Sequence, residues 1–215
     1  MNFVLEHLHK PSVLAKDAPV VIMCHGYGSD ENDLFSFASE MPEELFVISL
    51  KAPYRLEPYG NAWYAINFDA EQGKWSNNEQ ARSSRDLIAT FIQQANTYYP
   101  IDSNSITLLG FSQGSILSLA VALSYPELVK NVVGLSGYIN ADIIKGDLKS
   151  KDYSELEIFS SHGTVDQVIP VDWARATPRF LDAVGIPNVF KEYPVGHGVA
   201  PQNFHDFNAW LAKRL

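Results

Sequence analysis

Cysteine is almost absent: the 215-residue chain carries one, Cys24. An internal disulfide is therefore excluded, and a reducing, cytoplasmic setting is expected. Standing at the end of an apolar run, Cys24 reads as a small buried hydrophobe and not as a reactive thiol. Positive charge is scarce too, with 16 Lys and Arg against 25 Asp and Glu and a net charge of −9. Nucleic acid and anionic membrane surfaces both call for clustered cations, so neither is expected as a partner. No apolar run reaches the ~18 residues that cross a bilayer, which excludes a helical membrane span. The stretch from Met1 to His7 has no basic segment followed by a long apolar one, so no secretory leader is expected. Repeats, low-complexity tracts and linkers are also lacking, and residues 1–215 are expected to form a single domain. The apolar fraction of 46% is enough to build a core, which argues against a disordered chain.

What is present is an alternation of short apolar runs with longer amphipathic ones. Residues 2–9 alternate weakly and suit an antiparallel edge strand. Continuous apolar runs at 19–24, 45–50, 106–109, 129–135 and 156–160 suit strands buried on both faces, and 188–193 a last strand. Helical spacing covers 30–41, 79–99, 113–124, 171–184 (interrupted near Pro178) and 201–215. Residues 138–154 are polar and irregular. Between 51 and 78 the text is rich in Pro, Gly and aromatics, among them Trp63, Tyr64, Phe68 and Trp75, with no sustained period. A segment of that length and aromatic content is expected to be an ordered functional loop. The alternation predicts an α/β fold, a mostly parallel central sheet covered by helices on both faces.

One stretch carries chemistry. The run Ile106 to Leu109 stops at Gly110-Phe111-Ser112-Gln113-Gly114, ahead of a predicted helix. Gly-x-Ser-x-Gly between a strand and a helix stands a serine hydroxyl at the end of the sheet, and the turn leaves no room for side chains at Gly110 and Gly114. Such a serine needs a base within hydrogen-bond reach and a carboxylate behind that base. Of six histidines, His7, His9 and His205 suit surface or packing roles. His25 and His162 end buried strands and suit the holding of turns through backbone bonds. His197, flanked by Gly196 and Gly198 after the last strand, is the expected base. Asp166, in the turn after the 156–160 strand, is the expected acid; Asp142, Asp147 and Asp152 read as solvated and Asp182 as a helix-surface residue. Ser112, Asp166 and His197 then follow the chain order of α/β-hydrolases. The backbone N–H of Gln113, at a helix start, and that of Tyr27, in His25-Gly26-Tyr27-Gly28, are the expected oxyanion donors. Ser115 and Ser136 read as small packing residues.

Four segments in register, His25 to Leu34, Gly110 to Gly114, His162 to Pro170 and Gly196-His197-Gly198, resemble the small serine carboxylesterase, lysophospholipase and acyl-protein thioesterase family. The resemblance runs from about residue 18 to the end. It implies an α/β-hydrolase fold without a large cap domain, no metal or cofactor, and cleavage of carboxylic esters or thioesters of modest acyl groups. Position by position, Ser112 matches the nucleophile, Asp166 the acid, His197 the base, and the Tyr27 and Gln113 amides the oxyanion donors. Tyr27 stands where leucine is frequent in the family, and Ser29 where some members carry an acidic residue. The expected partner is a small ester or thioester, acylated lipids and proteins included, and the expected state a monomer or small homodimer. Trp63 is a candidate lining residue of the substrate pocket, with packing of its loop onto the sheet as the other reading. The competing functions are a ligand-binding protein on a hydrolase scaffold, and a peptidase or lactonase using the same triad.

Overall fold

A computed structural model describes residues 2–69 and 73–215. In chain order the strands and helices are β1 (His7–Lys10), β2 (Ala18–Cys24), β3 (Phe46–Leu50), β4 (Tyr54–Arg55), β5 (Asn61–Ala62), β6 (Ile66–Asp69), β7 (Gly73–Ser76), α1 (Asn78–Tyr98), β8 (Ile101–Phe111), α2 (Gln113–Ser124), β9 (Asn131–Leu135), β10 (Glu157–Gly163), α3 (Val171–Ala183), β11 (Asn188–Tyr193) and α4 (Pro201–Ala212). The main sheet has the order β1-β3-β2-β8-β9-β10-β11, with β1 antiparallel and the remaining neighbours parallel. The strand order reverses between β2 and β8. In open parallel sheets, ligands bind beyond the carboxyl ends of the strands at such a point.

Every residue of β3 and β9 is buried, which is why these strands read as unbroken apolar runs. Alternate side chains feed two cores. Val20, Ile22, Leu108, Val132 and Ile158 meet Ile88, Phe91 and Ile92 of α1, the apolar side chains of α2, and Leu181 of α3. Val21, Met23, Leu109, Val133 and Phe159 meet Leu34, Met41 and the Phe204, Phe207 and Trp210 face of α4. Helix α2 is buried along its whole length, so its sequence shows no polar face. The chain thus has the α/β-hydrolase arrangement. Among the described residues no helix is long and apolar enough to cross a membrane.

Three local expectations need correction. The helical spacing at 30–41 yields only a 3-10 turn, Leu34–Ser39. The hydroxyls of Ser36 and Ser39 bond back to Asp33 O and Ser36 O, competing with an α-helical ladder. Helix α3 runs through Pro178 without a break, held by the buried Ala174, Thr177 and Leu181. The 51–78 segment contains two small hairpins, β4–β5 and β6–β7; residues 70–72 and the side chains of Phe68 and Trp75 lie outside what is described. These strands are too short to show a period of two.

Candidate active site

The carboxyl edge of the sheet gathers the loops after β2, β8, β10 and β11. At the end of β8 the chain turns straight into α2 through Ser112, whose φ of 53° and ψ of −116° lie outside the ordinary regions. Such a backbone costs about 1–3 kcal/mol and persists only where its surroundings over-determine it. Here they do: Ser112 N–H donates to Leu135 O at 2.8 Å, and Ser112 O accepts from Ile116 N–H at 3.1 Å. The glycines are a matter of space. A Cβ on Gly110 would stand 2.3 Å from Gly114 O, and one on Gly114 would stand 1.9 Å from Cys24 O. Two strand ends and a helix start are therefore pressed together at backbone contact.

The loop after β11 crosses above β10 at similar range. A Cβ on Gly163 would lie 2.2 Å from Gly196 O and 2.3 Å from Val195 O. That approach delivers His197 to the serine: its Nε2 is 2.8 Å from Ser112 Oγ and its Nδ1 is 2.7 Å from Asp166 Oδ2. Gly196 and Gly198 have no close neighbours at a Cβ position, so the tight contact forms at Gly163 instead. The Asp166 side chain is inaccessible to solvent, while that of His197 is 17% exposed. Asp166 Oδ1 accepts the N–H groups of Val168 and Ile169 at 2.8 and 2.9 Å. Burial pushes the Asp166 carboxyl upward, but the hydrogen bonds from His197, Ile169 and Val168 outweigh it and hold the group below the usual carboxylate range. All three residues chosen from sequence are thus brought into one hydrogen-bonded chain.

Tyr27, Ser112, Gln113 and His197 border one cavity of about 710 Å³. Gln113 opens α2, where a backbone N–H has no intrahelical acceptor. On the other side, Gly28 N–H donates to Asn61 O and Ser29 N–H to Gly26 O, fixing the loop around the Tyr27 amide. His25 holds that loop from beneath: Nδ1 donates to Gly26 O at 2.7 Å and Nε2 accepts from Ala52 N–H at 3.1 Å. Burial holds His25 below its ordinary value. Burial likewise pushes the Cys24 thiol up to about 12, leaving it a hydrophobe in effect. His7 bonds the Tyr99 hydroxyl and His9 stacks on Phe46, both away from the site.

Trp63 is not a lining residue. It is fully buried, and its Nε1–H donates to His25 O, its N–H to Gln113 Oε1, while its carbonyl accepts from Ser84 Oγ. Its ring carries one donor and a large apolar body, and a carbonyl beneath the oxyanion loop takes both. The cavity wall is made instead by Tyr64, Ile66, Ile116, Tyr138, Ile139, Val168, Ile169 and Trp173, with Asn78, Asn140 and Asp142 at its polar part. Asp142, expected to be merely solvated, is exposed but borders this cavity. Tyr138 and Trp173 meet edge to face at 5.1 Å. Sequence reading misses Tyr138, Ile139 and Trp173 because they come from the irregular 138–154 segment and from the first turn of α3. The only local signal is an exposed tryptophan, Trp173, on the polar side of an amphipathic helix. A second missed feature is the Gln113 side chain, which also donates to Tyr64 O at 2.7 Å and so ties α2 to the aromatic segment. Among the described residues, no group of three or more His, Cys, Asp or Glu is placed to hold a metal.

The fold and the sequence have counterparts among known proteins. Esterase PE8 has a solved structure that superposes with a TM-score of 0.84 at 25% identity, covering 98% of this chain and 99% of that one. Acyl-protein thioesterase 1 of Debaryomyces hansenii is 30% identical over 195 residues, 90% of this chain and 78% of that protein. A probable carboxylesterase of Arabidopsis thaliana, SOBER1-like, is 29% identical over 116 residues, and that match spans 44% of the plant protein's length. The sequence model of the phospholipase/carboxylesterase family matches residues 11–215. With nearly its whole length matched, the chain belongs to the phospholipase/carboxylesterase family.

Proposed function

We propose that the protein is a serine hydrolase that cleaves carboxylic ester and thioester bonds through an acyl-enzyme. The observation that carries this reading is the unbroken chain from Ser112 Oγ through His197 to Asp166, at 2.8 and 2.7 Å. Ser112 Oγ attacks the carbonyl carbon while His197 Nε2 takes its proton. Asp166, accepting from Nδ1, fixes the tautomer and stabilises the imidazolium that forms. The Tyr27 and Gln113 amides receive the oxyanion, and the amino-terminal dipole of α2 adds to their field. His197 then passes the proton to the leaving alcohol or thiol, and water repeats the sequence on the acyl-enzyme. The cavity beside Ser112, apolar over most of its wall, suits a modest acyl or alcohol group.

Ser112→Ala is expected to abolish hydrolysis of ester and thioester substrates and labelling by a fluorophosphonate, with the unfolding midpoint unchanged. A folded variant that retains full turnover sinks the proposal. A wild-type protein that neither turns over esters nor reacts with the fluorophosphonate is instead a binding protein.

A further inference from the structure

The Asp166 carboxylate has a neighbour that the Ser-His-Asp reading does not use. His162, the penultimate residue of strand β10, has a side chain without solvent contact, and its Nε2 lies 3.1 Å from Asp166 Oδ2, the oxygen that accepts from His197. The same Nε2 donates to Ile169 O at 2.9 Å. Ile169 O can only accept and Asp166 Oδ2 stands within ion-pair range, so Nε2 carries the proton; Nδ1 is buried with no partner among the described residues. Glu192 lies opposite His162 in register on the neighbouring strand, and its carboxylate is taken up by Arg175 at 2.8 Å.

We infer that His162 is a positioning residue for the hydrolytic reaction, setting the orientation and proton affinity of Asp166. The inference rests on the proposed Ser112–His197–Asp166 chemistry. The 164–170 loop folds back over its own strand end, Asp166 Oδ1 taking the Val168 and Ile169 amides and the Ile169 carbonyl taking His162. His162 therefore ties both ends of the loop that carries the acid. Its N–H also lies beside the one carboxylate oxygen that faces His197. A second positive dipole there lowers the affinity of Oδ2 for a proton, so the proton on His197 Nδ1 stays on the imidazolium while charge builds on the substrate. His162 does not border the substrate cavity. Its effect is accordingly on kcat and not on KM.

The test compares His162→Phe, which keeps a flat ring and removes the donor, with His162→Gln, whose amide nitrogen reaches the position of Nε2. Rates are expressed per site titrated with a fluorophosphonate, so unfolded protein does not count. His162→Phe is expected to lower kcat about tenfold to a hundredfold, by analogy with the loss of outer-shell partners at metal-ligating histidines, with KM unchanged. It is also expected to move the downfield proton resonance of His197 Nδ1–H. His162→Gln is expected to recover most of both. Wild-type kcat per titrated site in His162→Phe overturns the inference, as does an equal loss in both variants. If the phenylalanine variant does not fold, nitrogen NMR of the wild-type protein decides: a His162 protonated at Nδ1 and not at Nε2 overturns it. Ser112→Ala serves as the control, because activity surviving there removes the triad reading itself, whatever His162 does.

Discussion

Two loops at the carboxyl edge of the sheet look alike on paper. The loop after β2 carries His25 ahead of Gly26, and the loop after β11 carries His197 between Gly196 and Gly198. Their histidines are partnered in opposite ways, which separates the roles proposed for them. Both ring nitrogens of His25 are spent on backbone, one on Gly26 O and one on Ala52 N–H, and its side chain is sealed beneath Trp63. His197 meets a carboxylate on one nitrogen and a hydroxyl on the other, and it keeps an edge toward the cavity. A histidine whose two nitrogens are bound to backbone is a brace. One held between an acid and an exchangeable hydroxyl can move a proton.

The comparison breaks most completely at His197. His197→Ala is expected to lower kcat by roughly a millionfold, the loss that follows removal of the base from a comparable triad, while the unfolding midpoint stays put. Steady-state kinetics with active-site titration measures it. Asp166→Asn comes next, at roughly 10⁴-fold in kcat, because the asparagine amide favours the wrong tautomer of His197. A drop under tenfold removes Asp166 from the role of acid.

On the other loop the expected effects are smaller and fall on stability first. His25→Phe leaves Ala52 N–H buried without a partner, at about 1–3 kcal/mol, and leaves Gly26 O with the Ser29 N–H alone. Denaturant unfolding reads this, and kcat is expected to fall about a hundredfold as the Tyr27 amide shifts, the cost of one oxyanion donor. If kcat falls as far as in His197→Ala, the division between brace and base is wrong.

The smallest effect is in pH. Burial depresses the folded-state pKa of His25, whereas the unfolded side chain titrates near 6.5. The unfolded state therefore binds a proton that the folded state refuses. The contribution of His25 to stability is complete above about pH 6.5 and is lost as pH falls through its folded value. The difference in unfolding midpoint between wild type and His25→Gln is expected to shrink across that window. A difference that stays constant from pH 8 to pH 5 contradicts a neutral, buried His25.

Much of the fold is legible in the chain. Strands β2, β3, β9 and β11 and helices α1, α2 and α4 lie where apolar periodicity puts them, because burial on one face or on both writes a pattern into successive residues. The strand ends are less legible. Strand β10 extends to Gly163 and takes in His162, past the end of the apolar run at 156–160. The 34–39 turn and the two hairpins of 51–78 are set by side-chain competition and by pairing, and neither has a period long enough to read. Trp63 shows the limit most clearly. Its size and its setting among aromatics suit a pocket wall or a packed core equally, and only the carbonyl of His25 beneath its indole decides for the core.

The sequence by itself marked the candidate serine, its glycine-bounded turn and the proposed order of acid and base, since each depends on residue type and on position relative to a strand end. The family resemblance carried by four separated motifs is of the same kind. Tertiary structure alone decided which histidines are braces, which aromatics face the cavity and that His162 stands beside Asp166. Those assignments depend on distances between segments far apart in the chain, such as the 2.8 Å between residues 112 and 197. Such distances are set by how the strand ends are pressed together at Gly110, Gly114 and Gly163, where backbone meets backbone and no side chain fits between.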